Sequence, residues 1–187
     1  MATRVLRSGG WADRVLVSVA FVTVVGTDAA YVEIIRSQPG GPPPDVEVAV
    51  PIFVTFYLVA MALLLAASLA EVSPLAKARS ALRAAASAGL LVMGVLAAFS
   101  IGVPLLLAGM VAGASTILSL TADPTRRPWV GAAVAAVAAV AVLVIGFQAS
   151  WNYIQCPASG QTSGSTAGFV SSSSYTCNGG QLTITSP

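Results

Sequence analysis

The sequence predicts an all-α integral membrane protein. We read it as a five-span transmembrane helix bundle, N-terminus inside and C-terminus outside, with a small disulfide-stapled extracytoplasmic C-terminal tail. Three observations predict this class. Of 187 residues, 56% are hydrophobic and 9% are charged, against about 25% charged in a soluble domain. Such a chain lacks the polar surface needed to cover itself in water. Several apolar runs approach the roughly 20 residues that cross a hydrocarbon core of about 30 Å. Once those runs are threaded through a bilayer, the cations gather on one side. Residues 1–150 form the bundle in this reading, and residues 151–187 form a Ser/Gly/Thr-rich cap.

The first span covers about 15–35, preceded by Arg4, Arg7, Trp11 and Arg14. Its rival reading is a signal peptide, since an arginine-rich start and an apolar stretch precede the small-x-small triplet Thr27-Asp28-Ala29. The proline-rich linker from Gln38 to Pro44 is a stiff connector of polyproline type. The second span covers about 48–69, with Asp45 and Glu47 at its start, where a helix dipole favours negative charge. Ser73 as N-cap and Pro74 after it predict the start of the next helix.

Residues 84–120 carry no charge. One helix of that length would be about 55 Å long, so the run must break. Gly102 and Pro104 mark the place, giving spans of about 84–101 and 104–120. A fifth span covers about 130–148, entered through Asp123 to Trp129.

Five spans place Arg4, Arg7, Arg14, Lys77, Arg79, Arg83, Arg126 and Arg127 on the cytoplasmic side and Arg36 alone outside. Four spans would put Arg126 and Arg127 outside. The aromatics agree, with Trp11 and Trp129 at the inner interface and Tyr31, Trp151 and Tyr153 at the outer one. Usage of one lysine against eight arginines, with no histidine and abundant alanine, valine and glycine, suggests a GC-rich bacterial genome. The location expected is therefore the bacterial cytoplasmic membrane.

Cys156 and Cys177 fall outside the membrane in this topology, so a structural disulfide is expected rather than a redox pair, which usually has C-x-x-C spacing. Phe169 to Thr176, Asn178-Gly179-Gly180 and Gln181 to Thr185 read as a β-hairpin. Gly109 and Gly113 form a GxxxG, and Ala132, Ala135, Ala136 and Ala139 line one side of the last span, all read as helix-packing residues. Lys77, Arg79 and Arg83 are read as contacts to anionic lipid headgroups.

The acids Asp28 and Glu33 are the ligand or ion candidates. Twenty residues of helix separate Trp11 from Tyr31, about 30 Å. On that ruler Glu33 lies among the headgroups, able to pair with Arg36, while Asp28 lies one turn below Tyr31 in the outer fringe of the hydrocarbon.

The other spans carry no relay of ionisable groups, and no phosphate loop, metal cluster or nucleophile–base pair stands out. Neither catalysis nor a cofactor is expected, and nothing points to nucleic acid. The leading expectation is an accessory or scaffold subunit of a larger membrane or envelope complex, in contact with the lipid bilayer and with a membrane-protein partner or further copies of itself. A small carrier or channel with Asp28 and Glu33 at its outer mouth is the alternative, and an outer-surface envelope enzyme using those acids is the third class.

Overall fold

A computed structural model describes residues 5–37, 49–70, 73–121, 128–151, 156, 158–167 and 172–185. The proline-rich linker, Asp45, Glu47, Arg126, Arg127 and Tyr153 lie outside the described residues, as do the side chains of Lys77 and Trp151. Five helices run α1 Val5–Ser37, α2 Ala49–Leu69, α3 Ser73–Leu96, α4 Gly102–Thr121 and α5 Pro128–Trp151. All five are long and apolar enough to cross a membrane.

Four of these helices carry a proline in the first turn: Pro51, Pro74, Pro104 and Pro128. The first four N–H groups of a helix have no partner within it, so proline loses nothing there while its fixed φ favours the helical start. Pro104 therefore opens α4 from inside its first turn. The break expected in the uncharged run occupies Ala97 to Ile101, so the third span ends at Leu96, earlier than the predicted 101. Its backbone is closed by Ser100 N donating to Ala97 O at 2.9 Å and Gly102 N donating to the same oxygen at 2.8 Å.

The chain divides into two compact units, Met1–Val32 with Tyr57–Leu143, and Glu33–Phe56 with Val144–Pro187. In the first unit α3 and α4 are the most closely packed helices. Glycines make that approach possible. A Cβ at Gly94 would come within 3.0 Å of the Gly102 carbonyl, and one at Gly109 within 2.8 Å of Leu91 Cγ. Further along, one at Gly113 would lie 2.9 Å from Ser87 Oγ. The pairs descend α3 as they climb α4, so the two helices are antiparallel. Ser87 Oγ donates to the Gly109 carbonyl at 2.8 Å, fixing the register with a buried hydrogen bond. The GxxxG pair thus packs against α3 of its own chain.

α2 and α5 meet through Tyr57, whose hydroxyl donates to the Ala139 carbonyl at 3.0 Å. A Cβ at Gly89 of α3 would overlap that hydroxyl, so Gly89 clears the path along which the ring reaches α5. Ala132 and Ala139 of α5 are buried while Val130, Val134 and Val137 are exposed; Ala136 is half-buried. On α1, Val17, Ala20, Val24 and Thr27 form the buried stripe, at the three- and four-residue spacing of one helix face.

In the second unit Phe53 and Phe147 meet edge to face, ring centroids 6.3 Å apart, and Gly146 leaves room for the Phe53 ring. The tail forms a three-stranded antiparallel sheet, β1 Gln161–Ala167, β2 Ser172–Asn178 and β3 Gln181–Thr185, in the order β1-β2-β3. Gly179 and Gly180, with φ of 52° and 82°, make the two-residue turn that matches strand twist and that only glycine-like residues adopt readily. The expected hairpin is β2 with β3, and Phe169 lies outside the described residues. β1 was not expected. Its Ser/Gly/Thr sequence has no apolar alternation, and it is recruited by backbone pairing, with Gly164 lying under the Tyr175 ring. The Cys156–Cys177 disulfide is formed, Cα atoms 5.4 Å apart, with Cys177 buried.

Two outcomes follow from this packing. Gly109→Val forces methyl groups into Leu91 and should lower stability by about 1–3 kcal/mol, read as a lower melting temperature in mild detergent. Gly131→Ala, where a Cβ meets nothing within 4 Å, should not lower it and should raise it slightly, because alanine favours a helix over glycine. Replacing Cys156 and Cys177 together by serine should cost the tail about 3 kcal/mol, read as faster proteolytic nicking between residues 156 and 185.

Candidate functional site

Two polar constellations lie among the helices of the first unit. One joins three helices. Arg83 on α3 donates from Nη1 to Asp13 Oδ1 on α1 at 2.7 Å, and from Nε to Ser68 Oγ on α2 at 3.3 Å. Ser68 Oγ in turn donates to the Leu65 carbonyl at 2.7 Å. The guanidinium is 1% exposed and the Asp13 side chain 18%. A guanidinium is the cation suited to such a site, because its planar fork can satisfy several acceptors at once.

This corrects the expectation for Arg83. It was grouped with Lys77 and Arg79 as a headgroup contact, and it is instead a buried ion-pair partner. Asp13 was missed. The signals were an acid between Trp11 and Arg14 at the start of the first span, and a cation that is the last charge before the uncharged run. Arg79, one turn before Arg83, donates from Nη2 to the Ala70 carbonyl just beyond α2 at 3.4 Å, where the helix dipole favours a cation. Its buried Nε has no acceptor among the described residues.

The second constellation is a groove of about 200 Å³ between α1 and α2. Phe21, Val24, Val25 and Asp28 line it from α1, and Leu58, Val59, Ala62 and Leu63 from α2. Asp28 is its one ionisable residue and is half-buried. The α2 wall is the middle of a helix spanning Ala49–Leu69, so Asp28 lies beside the middle part of its neighbour. Next to Asp28, Thr27 Oγ1 donates to the Thr23 carbonyl at 2.7 Å, so that hydroxyl is spent on its own helix.

The other predicted residues do not join the groove. Glu33 and Arg36 are both exposed near the end of α1, with no ion pair between them. Gly109, Gly113 and Ala132 serve packing, and Cys156 and Cys177 the disulfide. Among the described residues no group of three His, Cys, Asp or Glu side chains could hold a metal ion.

The Arg83–Asp13 contact yields a prediction by double-mutant cycle. Arg83→Met alone strands Asp13 and should destabilise the protein by about 3–5 kcal/mol. Combining it with Asp13→Leu should recover most of that loss, since a buried pair replaced by apolar groups is often neutral. Melting temperatures of the four proteins in one detergent check the coupling.

No protein-family model matches this chain, and no curated protein or solved structure does so either; the reading of function therefore rests on the residues themselves.

Proposed function

We propose that this chain is a non-enzymatic polytopic protein of a bacterial cytoplasmic membrane, acting as an accessory or scaffold subunit of a larger membrane or envelope complex. The observation that carries this reading is how its interior polar side chains are used. Arg83, Asp13, Ser68, Tyr57 and Ser87 each join one helix to another. The outward faces of α1 and α5 remain apolar, with Val19, Val22, Val134 and Val137 exposed. Such surfaces suit lipid or a neighbouring helix, where close packing drives association.

The cation distribution supports an N-terminus inside and a C-terminus outside. A disulfide in the tail agrees with an oxidising compartment on that outer side. Lys77 and Arg79, at the start of α3, would then face the anionic inner leaflet, each attracted by about 1 kcal/mol. The sheet would offer an external surface to the same complex.

A carrier is the second reading, and the observation favouring it is Asp28 in the groove. The absence of Glu33 from the groove lining removes half of the pair on which that reading began.

Crosslinking in native membranes, followed by purification in mild detergent, tests the subunit role. The chain should be recovered in a complex larger than its 18.8 kDa monomer. Recovery as a monomer alone, with no crosslinked species, would overturn it.

A further inference from the structure

We propose that the outer edge of β3 pairs with β3 of a second copy of this chain, antiparallel and in register about Thr183, joining two three-stranded sheets into one of six strands. The pairing needs only the sheet and goes beyond the subunit reading above.

The hydrogen-bond pattern of the hairpin leaves an edge ready for it. The two-residue turn at Gly179 and Gly180 makes Asn178 and Gln181 a hydrogen-bonded pair, and such pairs alternate along an antiparallel ladder. Thr183 and Thr185 therefore also turn their backbone groups toward β2, while Leu182 and Ile184 turn theirs outward. Among the described residues no strand pairs with that outer edge, and every residue of β3 is exposed. An edge of this kind is a template for another strand. The devices that usually guard one are absent. β3 contains no proline, its register with β2 runs without a bulge, and residues 151–187 contain no Asp, Glu, Lys or Arg.

The edge is complementary to itself. Set antiparallel about Thr183, Leu182 of each copy lies opposite Ile184 of the other. Both residues point their N–H and C=O outward, so the two pairs exchange four hydrogen bonds. Within β3, centring the pair on Leu182 or on Ile184 matches only one such residue with itself. The side chains agree with the backbone. Leu182 and Ile184 lie opposite Cys177 and Tyr175 and share their face of the sheet, yet they are 38% and 55% exposed. In the joined sheet each stands beside its apolar counterpart, and Thr183 meets Thr183 of the other copy. Cross-strand pairs of these types stabilise a sheet. The contact uses the same patch on both copies, so it closes at two.

The test uses the full-length protein in phosphatidylcholine vesicles, with one added cysteine and a mild oxidant, read as covalent dimer on a non-reducing gel. The two Thr183 residues form a non-hydrogen-bonded pair with Cα atoms about 4.5 Å apart, within reach of a disulfide. Two Thr185 residues would be about 14 Å apart. Thr183→Cys should therefore crosslink about tenfold or more faster than Thr185→Cys. Adding Ile184→Pro, which deletes an outward N–H and leaves the β2 ladder intact, should slow the Thr183→Cys crosslink about tenfold. A charge pair checks the register without proline. Leu182→Lys with Ile184→Lys sets like charges opposite each other and should abolish the crosslink. Leu182→Lys with Ile184→Glu sets opposite charges there and should retain it. Equal rates at 183 and 185, or a Thr183→Cys crosslink indifferent to both the proline and the paired lysines, overturns the proposal. Growth past two copies on raising protein concentration, lost in Ile184→Pro, would also overturn it, by joining β3 to the opposite edge β1.

The two readings fail separately. A different chain that co-purifies with Ile184→Pro leaves the subunit role standing whether or not Thr183→Cys pairs. A Thr183→Cys crosslink in a protein that has no other partner does the reverse.

Discussion

The Arg83–Asp13 ion pair is the contact on which the rest of the helix arrangement depends. It takes one residue from α1 and one from α3, and the same guanidinium reaches Ser68 on α2. Removing charges from water carries a penalty of several kcal/mol per ion, repaid only when geometry and further hydrogen bonds satisfy both partners. Such a pair adds little net stability over apolar packing, but it sharply penalises arrangements that separate the two charges. Helices that are apolar nearly all round have few other means of choosing a unique neighbour and rotation. Specificity here comes from a small number of polar links.

The other links extend outward from that clamp through α3. Further along the helix it holds α4, where glycine replaces side chain with backbone contact and Ser87 bonds the Gly109 carbonyl. Its Gly89 leaves the gap through which Tyr57 joins α2 to α5. In a bilayer, where lipid removes the hydrophobic drive between helices, close packing and interhelical hydrogen bonds must hold the bundle together. α3 supplies a cation, a hydroxyl and several glycines to its three neighbours, and that explains why its sequence mixes small residues with one deeply set arginine.

Asp28 differs from these groups in kind. Asp13 answers a cation on another helix of the same chain, whereas Asp28 faces a groove whose remaining walls are hydrocarbon. The two acids lie 15 residues apart on one helix, Asp13 paired with Arg83 and Asp28 half-buried among apolar side chains. Glu33, further along the same helix, is exposed.

Much of the fold was legible in the sequence because it depends on local properties. Lengths of apolar runs, prolines in first turns, the glycine pair of the β2–β3 turn and the position of the cysteines are readable one segment at a time. β1 was not legible, since a Ser/Gly/Thr strand carries no periodic signal and exists only because β2 offers it a backbone partner. The same limit hid the role of Arg83. Nothing along the chain says that Asp13, 70 residues away, will stand opposite it. The sequence by itself determined that there would be five long apolar helices and a stapled tail, because hydrophobicity and chain-breaking residues act locally. Only the tertiary structure decided which charges would be buried together and which acid would line a groove, because pairing depends on the rotation of each helix against its neighbours.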